Sequence, residues 1–127
     1  MKSQQLFALC VCVFLWGCVE KPTAGDAELR ALLPAWFDTL NLIKASPRSS
    51  LPPQIAQMQS MRRQAEAIQV SECMEEPKKL FVDYMQSKIY MISDVLTENR
   101  GYLDGFNVPE IDFVEYDAAV QKCRTKK

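Results

Sequence analysis

The sequence predicts an all-α domain, a small three- to four-helix bundle stapled by one disulfide, and three observations carry that prediction. Apolar residues recur at three- and four-residue steps in several separate stretches, the spacing that places them on one face of a helix. Segments rich in proline, glycine and serine divide those stretches into lengths suited to antiparallel helices with short connections. Two cysteines, Cys73 and Cys123, remain in the chain once the apolar leader and the Cys18 that follows it are set aside.

In the first predicted helix Leu29, Leu32, Leu33, Trp36, Phe37, Leu40 and Ile43 form one stripe, and Asp26 is a suitable N-cap ahead of it. Pro34 interrupts the stripe, so the helix is either kinked near Leu33 or begins at Leu33-Pro34. Ala45 to Pro53 reads as a loop whose end starts the second helix, with Ser50 as a cap and the prolines in its first turn. That helix carries a thin stripe of Ile55, Met58, Met61 or Arg62, Ala65 and Ile68, which needs neighbours to be stable. A third helix from about Lys78 to Asn99 presents Phe81, Tyr84, Met85, Ile89, Ile92, Val95 and Leu96, with the Lys88 stem along the same face. It is the expected spine of the core, together with the first helix. Glu72, Glu75, Glu76 and Pro77 precede it, as suits the positive end of a helix dipole. Gly101 and Gly105 offer a stop, and Pro109-Glu110 opens a shorter fourth helix to about Cys123. On it Ile111, Val114 and Ala118 form one row and Phe113, Tyr116, Val120 and Cys123 another, and both rows can be buried.

Ahead of the domain, Lys2 is followed by the apolar run Leu6 to Trp16 and then by Gly17-Cys18, the plan of an export signal. The run is about eleven residues, short of the roughly 20 that span a bilayer as a helix. Leu15-Trp16-Gly17-Cys18 resembles the lipobox of bacterial lipoproteins, with Trp16 standing where a small or medium residue is usual. The resemblance covers residues 1–18, and it implies acylation of Cys18 with cleavage before it. A plain secretory signal is the alternative. The expected division is a signal peptide over 1–17, a lipidated tether over 18–26 and a helical domain over 27–127. Because Val19 rather than Asp follows the cysteine, the resemblance points to the outer membrane, facing the periplasm.

Removal of the leader takes Cys10 and Cys12 away, and lipid would consume Cys18. Cys73 and Cys123 are then expected to pair, since exported proteins meet an oxidising compartment. Closing a loop of about 50 residues would stabilise the fold by about 4 kcal/mol in the chain-entropy description. Separate thiols or an intermolecular bridge are the alternatives.

Composition narrows the function. Lys2 is the one cation among residues 1–17, so 16 Asp and Glu still slightly outnumber the cations left in the mature part. Nothing there selects for nucleic acid, which calls for clustered excess Lys and Arg. The chain contains 0 His, which removes the usual acid/base group and the commonest metal ligand. No phosphate-cradling glycine loop and no CxxC occur in the mature part. No catalytic residue, metal ligand set or cofactor is therefore assigned, and the chain is not expected to be an enzyme. Asp104, Glu110, Asp112, Glu115 and Asp117 follow one another with no cation between them. Only Glu110 and Asp112 alternate as calcium ligands would; a solvated face is the simplest reading and a contact surface for a basic partner the next. Met58, Met61, Met74, Met85 and Met91 read as packing rather than as soft copper ligands.

The combination of lipid anchor, tether, helical bundle and one disulfide resembles the pilotins that assist secretion systems, as an architecture without a shared motif. It implies a lipid-anchored envelope protein that acts by contact with a protein partner: a pilotin, an assembly factor, or an exclusion or immunity lipoprotein. The other expectation is a periplasmic lipoprotein that binds a small ligand or a metal.

Overall fold

The computed structural model describes residues 22–97 and 111–125, with the side chains of the second stretch described from 113 onward. The expected signal peptide, Cys18, and the expected helix stop at Gly101 and Gly105 lie outside the described residues. Four α-helices, α1 (Ala24–Ala45), α2 (Leu51–Ala67), α3 (Glu75–Thr97) and α4 (Ile111–Thr125), account for almost all of the described chain, and no strand occurs among the described residues.

Helix α1 starts three residues before the expected boundary because Thr23, not Asp26, is its N-cap. The Thr23 side chain accepts the Asp26 N–H, while the Asp26 carboxylate accepts the Thr23 N–H and hydroxyl. This reciprocal arrangement satisfies donors that a helix start otherwise leaves open. The helical part of the described chain therefore begins at Ala24, after its Thr23 cap, ahead of the expected 27. Pro34 lies inside α1, which runs through it as one helix. Its exposed position leaves the Arg30 carbonyl, which has lost a backbone donor, on the solvent side. Of the stripe on α1, Leu29, Leu32, Trp36, Leu40 and Ile43 are buried, whereas Leu33 and Phe37 are half-buried and lie to one side.

A 3-10 turn over Arg48–Ser50 feeds directly into α2. Ser50 occupies the cap position, but its helical backbone puts its hydroxyl out of use and it forms no side-chain cap. The stripe of α2 is more complete than its sequence suggests. Leu51, Ile55, Met58, Met61 and Ala65 are all buried, with Leu51 and Met58 at 0% exposure, and Arg62 turns outward to pair with Glu66. Helix α2 thus buries as many apolar residues as α1, although helices one and three were expected to supply most of the core.

Ile68 to Ser71 cross to a second 3-10 turn, Glu72–Met74, and α3 follows at Glu75. Its start precedes the expected Lys78 because Pro77 falls within the first turn, where a missing N–H costs nothing. Phe81, Tyr84, Met85, Ile89, Ile92 and Val95 are buried, and the Lys88 ammonium stands over the Tyr84 ring at 5.4 Å. On α4 only one of the two apolar rows is used: Tyr116, Ala119 and Val120 are buried, Phe113 and Cys123 half-buried, while Val114 and Ala118 face solvent. A helix on the rim of a bundle buries one stripe, and the aromatic row wins because it removes more apolar area from water.

The helices pack side by side in chain order, α1 on α2, α2 on α3, α3 on α4. Among the described residues α1 and α4 meet chiefly through rings that fill the wider gap between their backbones. Phe37 lies edge-on to Phe113 at 5.3 Å, Phe113 stacks on Tyr116 at 5.0 Å, and Tyr84 links Phe113 to Trp36. Among the described residues the α1–α4 seam is therefore looser than the α1–α2 seam.

Candidate functional site

All four helices converge at one pole of the bundle. The start of α1, the end of α2, the start of α3 and the end of α4 meet there, and three kinds of contact lock them. Cys73 and Cys123 are joined by the expected disulfide, which ties the turn before α3 to the end of α4. Asp26, only 3% exposed, reaches across 45 residues of sequence to accept the Ser71 N–H at 2.8 Å and the Ser71 hydroxyl at 2.9 Å. Lys78 donates to the Ile68 carbonyl at 2.9 Å, closing the C-terminal end of α2.

The Asp26 carboxylate is thus surrounded by four donors, two from Thr23 and two from Ser71. Burial pushes its pKa up, but the hydrogen bonds from Ser71 and Thr23 favour the charged form and together hold it below the ordinary 3.8. Gly25 is needed beside it: a Cβ there would stand 1.7 Å from the Gln69 carbonyl oxygen, so only glycine lets the loop lie against the helix start.

On the α1–α4 side of this pole the exposed Arg30, Asp117 and Arg124 surround the buried Tyr116. Burial pushes the Tyr116 phenol up, Arg30 pulls it back, Asp117 adds to the rise and Arg124 opposes it. On the other side Glu72, Glu75 and Glu76 crowd the start of α3, where the helix dipole suits them.

Of the acidic segment at α4, Glu110 and the side chain of Asp112 lie outside the described residues, as does Asp104. Glu115 and Asp117 are both exposed. Two residues apart on a helix they project about 200° from each other, so they sit on different flanks of α4. Among the described residues no three His, Cys, Asp or Glu side chains come together as a metal site, and no helix is long and apolar enough to cross a membrane. Met58, Met61, Met74 and Met85 are buried among apolar neighbours, and the Met61 sulfur accepts the Thr39 hydroxyl at 3.7 Å.

Among the described residues the arrangement at this pole holds parts together. The residue that sequence reasoning misplaced is Asp26, read as a cap and found as the centre of a buried polar junction. The pattern Thr23-x-x-Asp26 carries the capping-box signal that would have located it. Ser71 had no such local sign. Compared with known proteins, the chain matches no family model, no curated protein and no solved structure.

Proposed function

We propose that the chain is a lipid-anchored protein of the bacterial envelope, held to the outer membrane on its periplasmic side by acyl groups on Cys18. It works without catalysis, by contact with a protein partner, as pilotins, assembly factors and exclusion or immunity lipoproteins do. The observation that carries this reading is the order of parts along the chain: the lipobox-like cysteine, four intervening residues, then a helix start locked by the Thr23–Asp26 box into a disulfide-closed domain. A protein destined for an oxidising compartment keeps such a disulfide, and a short leash suits a domain that must stay at a surface. The acidic segment of Glu110, Asp112, Glu115 and Asp117 is the surface we assign to a basic partner, with charge steering the encounter.

The test is expression of the full chain with its leader in a bacterial host. The mature protein should begin at Cys18, carry fatty acid and fractionate with membranes, while Cys18→Ser should accumulate as the uncleaved precursor. Capture from crosslinked membranes should yield one stoichiometric protein. A soluble mature form beginning elsewhere would remove the anchor, and a protein recovered alone with a bound metal or small molecule would replace contact by ligand binding.

A further inference from the structure

We propose that the basic partner met by the acidic segment of α4 is α4 of a second copy of this chain, laid antiparallel on the first to form a symmetric dimer. The inference rests on the reading of that segment as a contact surface.

Helix α4 leaves one face without a neighbour. Val114, which is 68% exposed, is followed by Ala118, Gln121 and Thr125 at four-, three- and four-residue steps, and all of them face solvent. That spacing is the seam two helices share when they pack lengthwise. Ala118 at its middle is small enough to let two backbones come close. The row alone does not choose what covers it; its flanks do. At 100° per residue Glu115 and Lys122 lie on one side of the row, and Asp117 and Arg124 on the other, each about 60–100° from its centre. The second flank is the one that carries Phe113 to Phe37 of α1. All four charged residues are exposed, and none forms an ion pair with another described residue. On each flank the acid precedes the cation by seven residues, about 10 Å along the helix, which is too far for the two to pair within one copy.

Reversal of direction brings them together. A twofold axis normal to the plane of two antiparallel helices keeps each flank on its own side, so each flank meets its own equivalent running the other way. Glu115 of one copy then meets Lys122 of the second, Asp117 meets Arg124, and the symmetry doubles these to four pairs. One axis position serves the seam and both flanks: it falls between Ala118 and Gln121, setting Ala118 against Gln121 and Val114 against Thr125. A parallel pair sets unlike flanks together and matches only Asp117 with Lys122, which gives two pairs. The residues before and after continue the polarity in sequence, with Glu110 and Asp112 on one side and Lys126 and Lys127 on the other. An exposed pair contributes about twofold to an association constant, so four contribute roughly tenfold to twentyfold. The contact is one helix of 15 residues, about 22 Å long, and is weak between freely diffusing copies. Acylation at Cys18 confines the copies to one surface and raises their effective concentration. The twofold axis can stand along the membrane normal, which holds both leashes at one height.

The test uses the acylated full-length product in phosphatidylcholine vesicles, as an equal mixture of isotope-labelled and unlabelled chains. The mixture is treated with a carbodiimide, which joins a carboxylate to an ammonium in contact with it. Mass spectrometry should find an amide from Glu115 to Lys122 that links a labelled to an unlabelled chain and is lost at high salt. The opposite flank supplies the perturbation. Arg124→Glu turns two attractions into two repulsions and should lower the yield of that amide roughly tenfold at matched lipid dilution. Asp117→Arg/Arg124→Glu restores opposite signs and should return it. Circular dichroism checks that these exposed substitutions leave the helices intact. Amides confined to single isotopes, or a yield indifferent to Arg124→Glu, would overturn the dimer. A crosslink from Glu115 to a different protein in native membranes, without the isotope-mixed product, would overturn self-pairing while keeping the acidic segment as a contact surface. No crosslink from Glu115 to any protein would remove both. A product that does not float with the vesicles removes the anchor but not the dimer, which the same amide then reports in solution at raised protein concentration.

Discussion

Asp26→Asn should destabilise the domain more than any other single-atom change on its surface or at its helix ends. The aspartate oxygens accept from the Thr23 N–H at 3.1 Å, the Thr23 hydroxyl at 3.1 Å, the Ser71 N–H at 2.8 Å and the Ser71 hydroxyl at 2.9 Å. An asparagine keeps one oxygen and turns an NH₂ donor towards groups that are themselves donors. The hydroxyls can rotate to accept, but one of the two backbone N–H groups is left without its partner in a buried position. A hydrogen bond to a charged group contributes about 1.5–3 kcal/mol, and an orphaned buried donor costs about 1–3 kcal/mol. Allowing for the hydroxyl reorientation, the expected loss is about 2–4 kcal/mol, or roughly 8–25 °C in the unfolding midpoint of a domain this size. The acid response gives a second readout. Because the folded-state pKa of Asp26 is lowered, its contribution is fully present above the ordinary 3.8 and is lost as pH falls through the lower folded value. The wild type should therefore lose stability on acidification below that ordinary value with a steeper slope than Asp26→Asn. Urea unfolding followed by circular dichroism at neutral and acid pH measures both. A variant with the wild-type midpoint and the wild-type acid slope would refute the junction.

Three further outcomes are expected. Cys73→Ser and Cys123→Ser should each lower stability by about 4 kcal/mol, and the double variant by little more, because both remove one constraint; additive losses in denaturant titrations would contradict this. Phe81→Ala, which empties a fully buried position beside Tyr116, should cost about 3–5 kcal/mol, whereas Val114→Ala at an exposed position should stay within about 0.5 kcal/mol. Replacing Glu110, Asp112, Glu115 and Asp117 together by Ser should leave helix content and the disulfide unchanged while weakening salt-dependent capture of the partner. A quadruple variant that captures its partner like the wild type would reduce these carboxylates to solvent coating.

The helices were legible where local pattern and tertiary demand agree. The stripes of α1 and α3 follow their periodicity closely, because each has enough large apolar residues to define one buried face. Two kinds of feature were not legible. The first is a choice between equally spaced rows: nothing local says that Phe113 and Tyr116 turn inward while Val114 turns out, since only the position of α1 and α3 decides it. The second is non-local polarity. Asp26 and Ser71 are 45 residues apart, and a capping residue that also serves a distant loop looks in sequence like any other helix start. The thin stripe of α2 misled for a related reason: Leu51 is preceded by serines and followed by two prolines, a context that reads as loop, yet it is fully buried. Of the proposed site, the disulfide was readable from cysteine arithmetic, whereas Cys18, Glu110 and the side chain of Asp112 lie outside the described residues.

The junction at Gly25 and Asp26 also defines a path for mechanical load. In the proposed lipid-anchored form, a pull transmitted through Cys18 would enter the domain at Thr23, the first residue of the locked helix start. It passes through Asp26 to Ser71, two residues before Cys73, and the disulfide carries it on to α4. Tension on the leash is thus divided between α1, the loop behind α2 and the end of α4, instead of peeling α1 away turn by turn. A hydrogen-bonded junction backed by a covalent bond resists shear across the whole pole. Opening of the disulfide would leave the same pull acting on α1 and the loop alone, so reduction should lower the force at which the domain first yields.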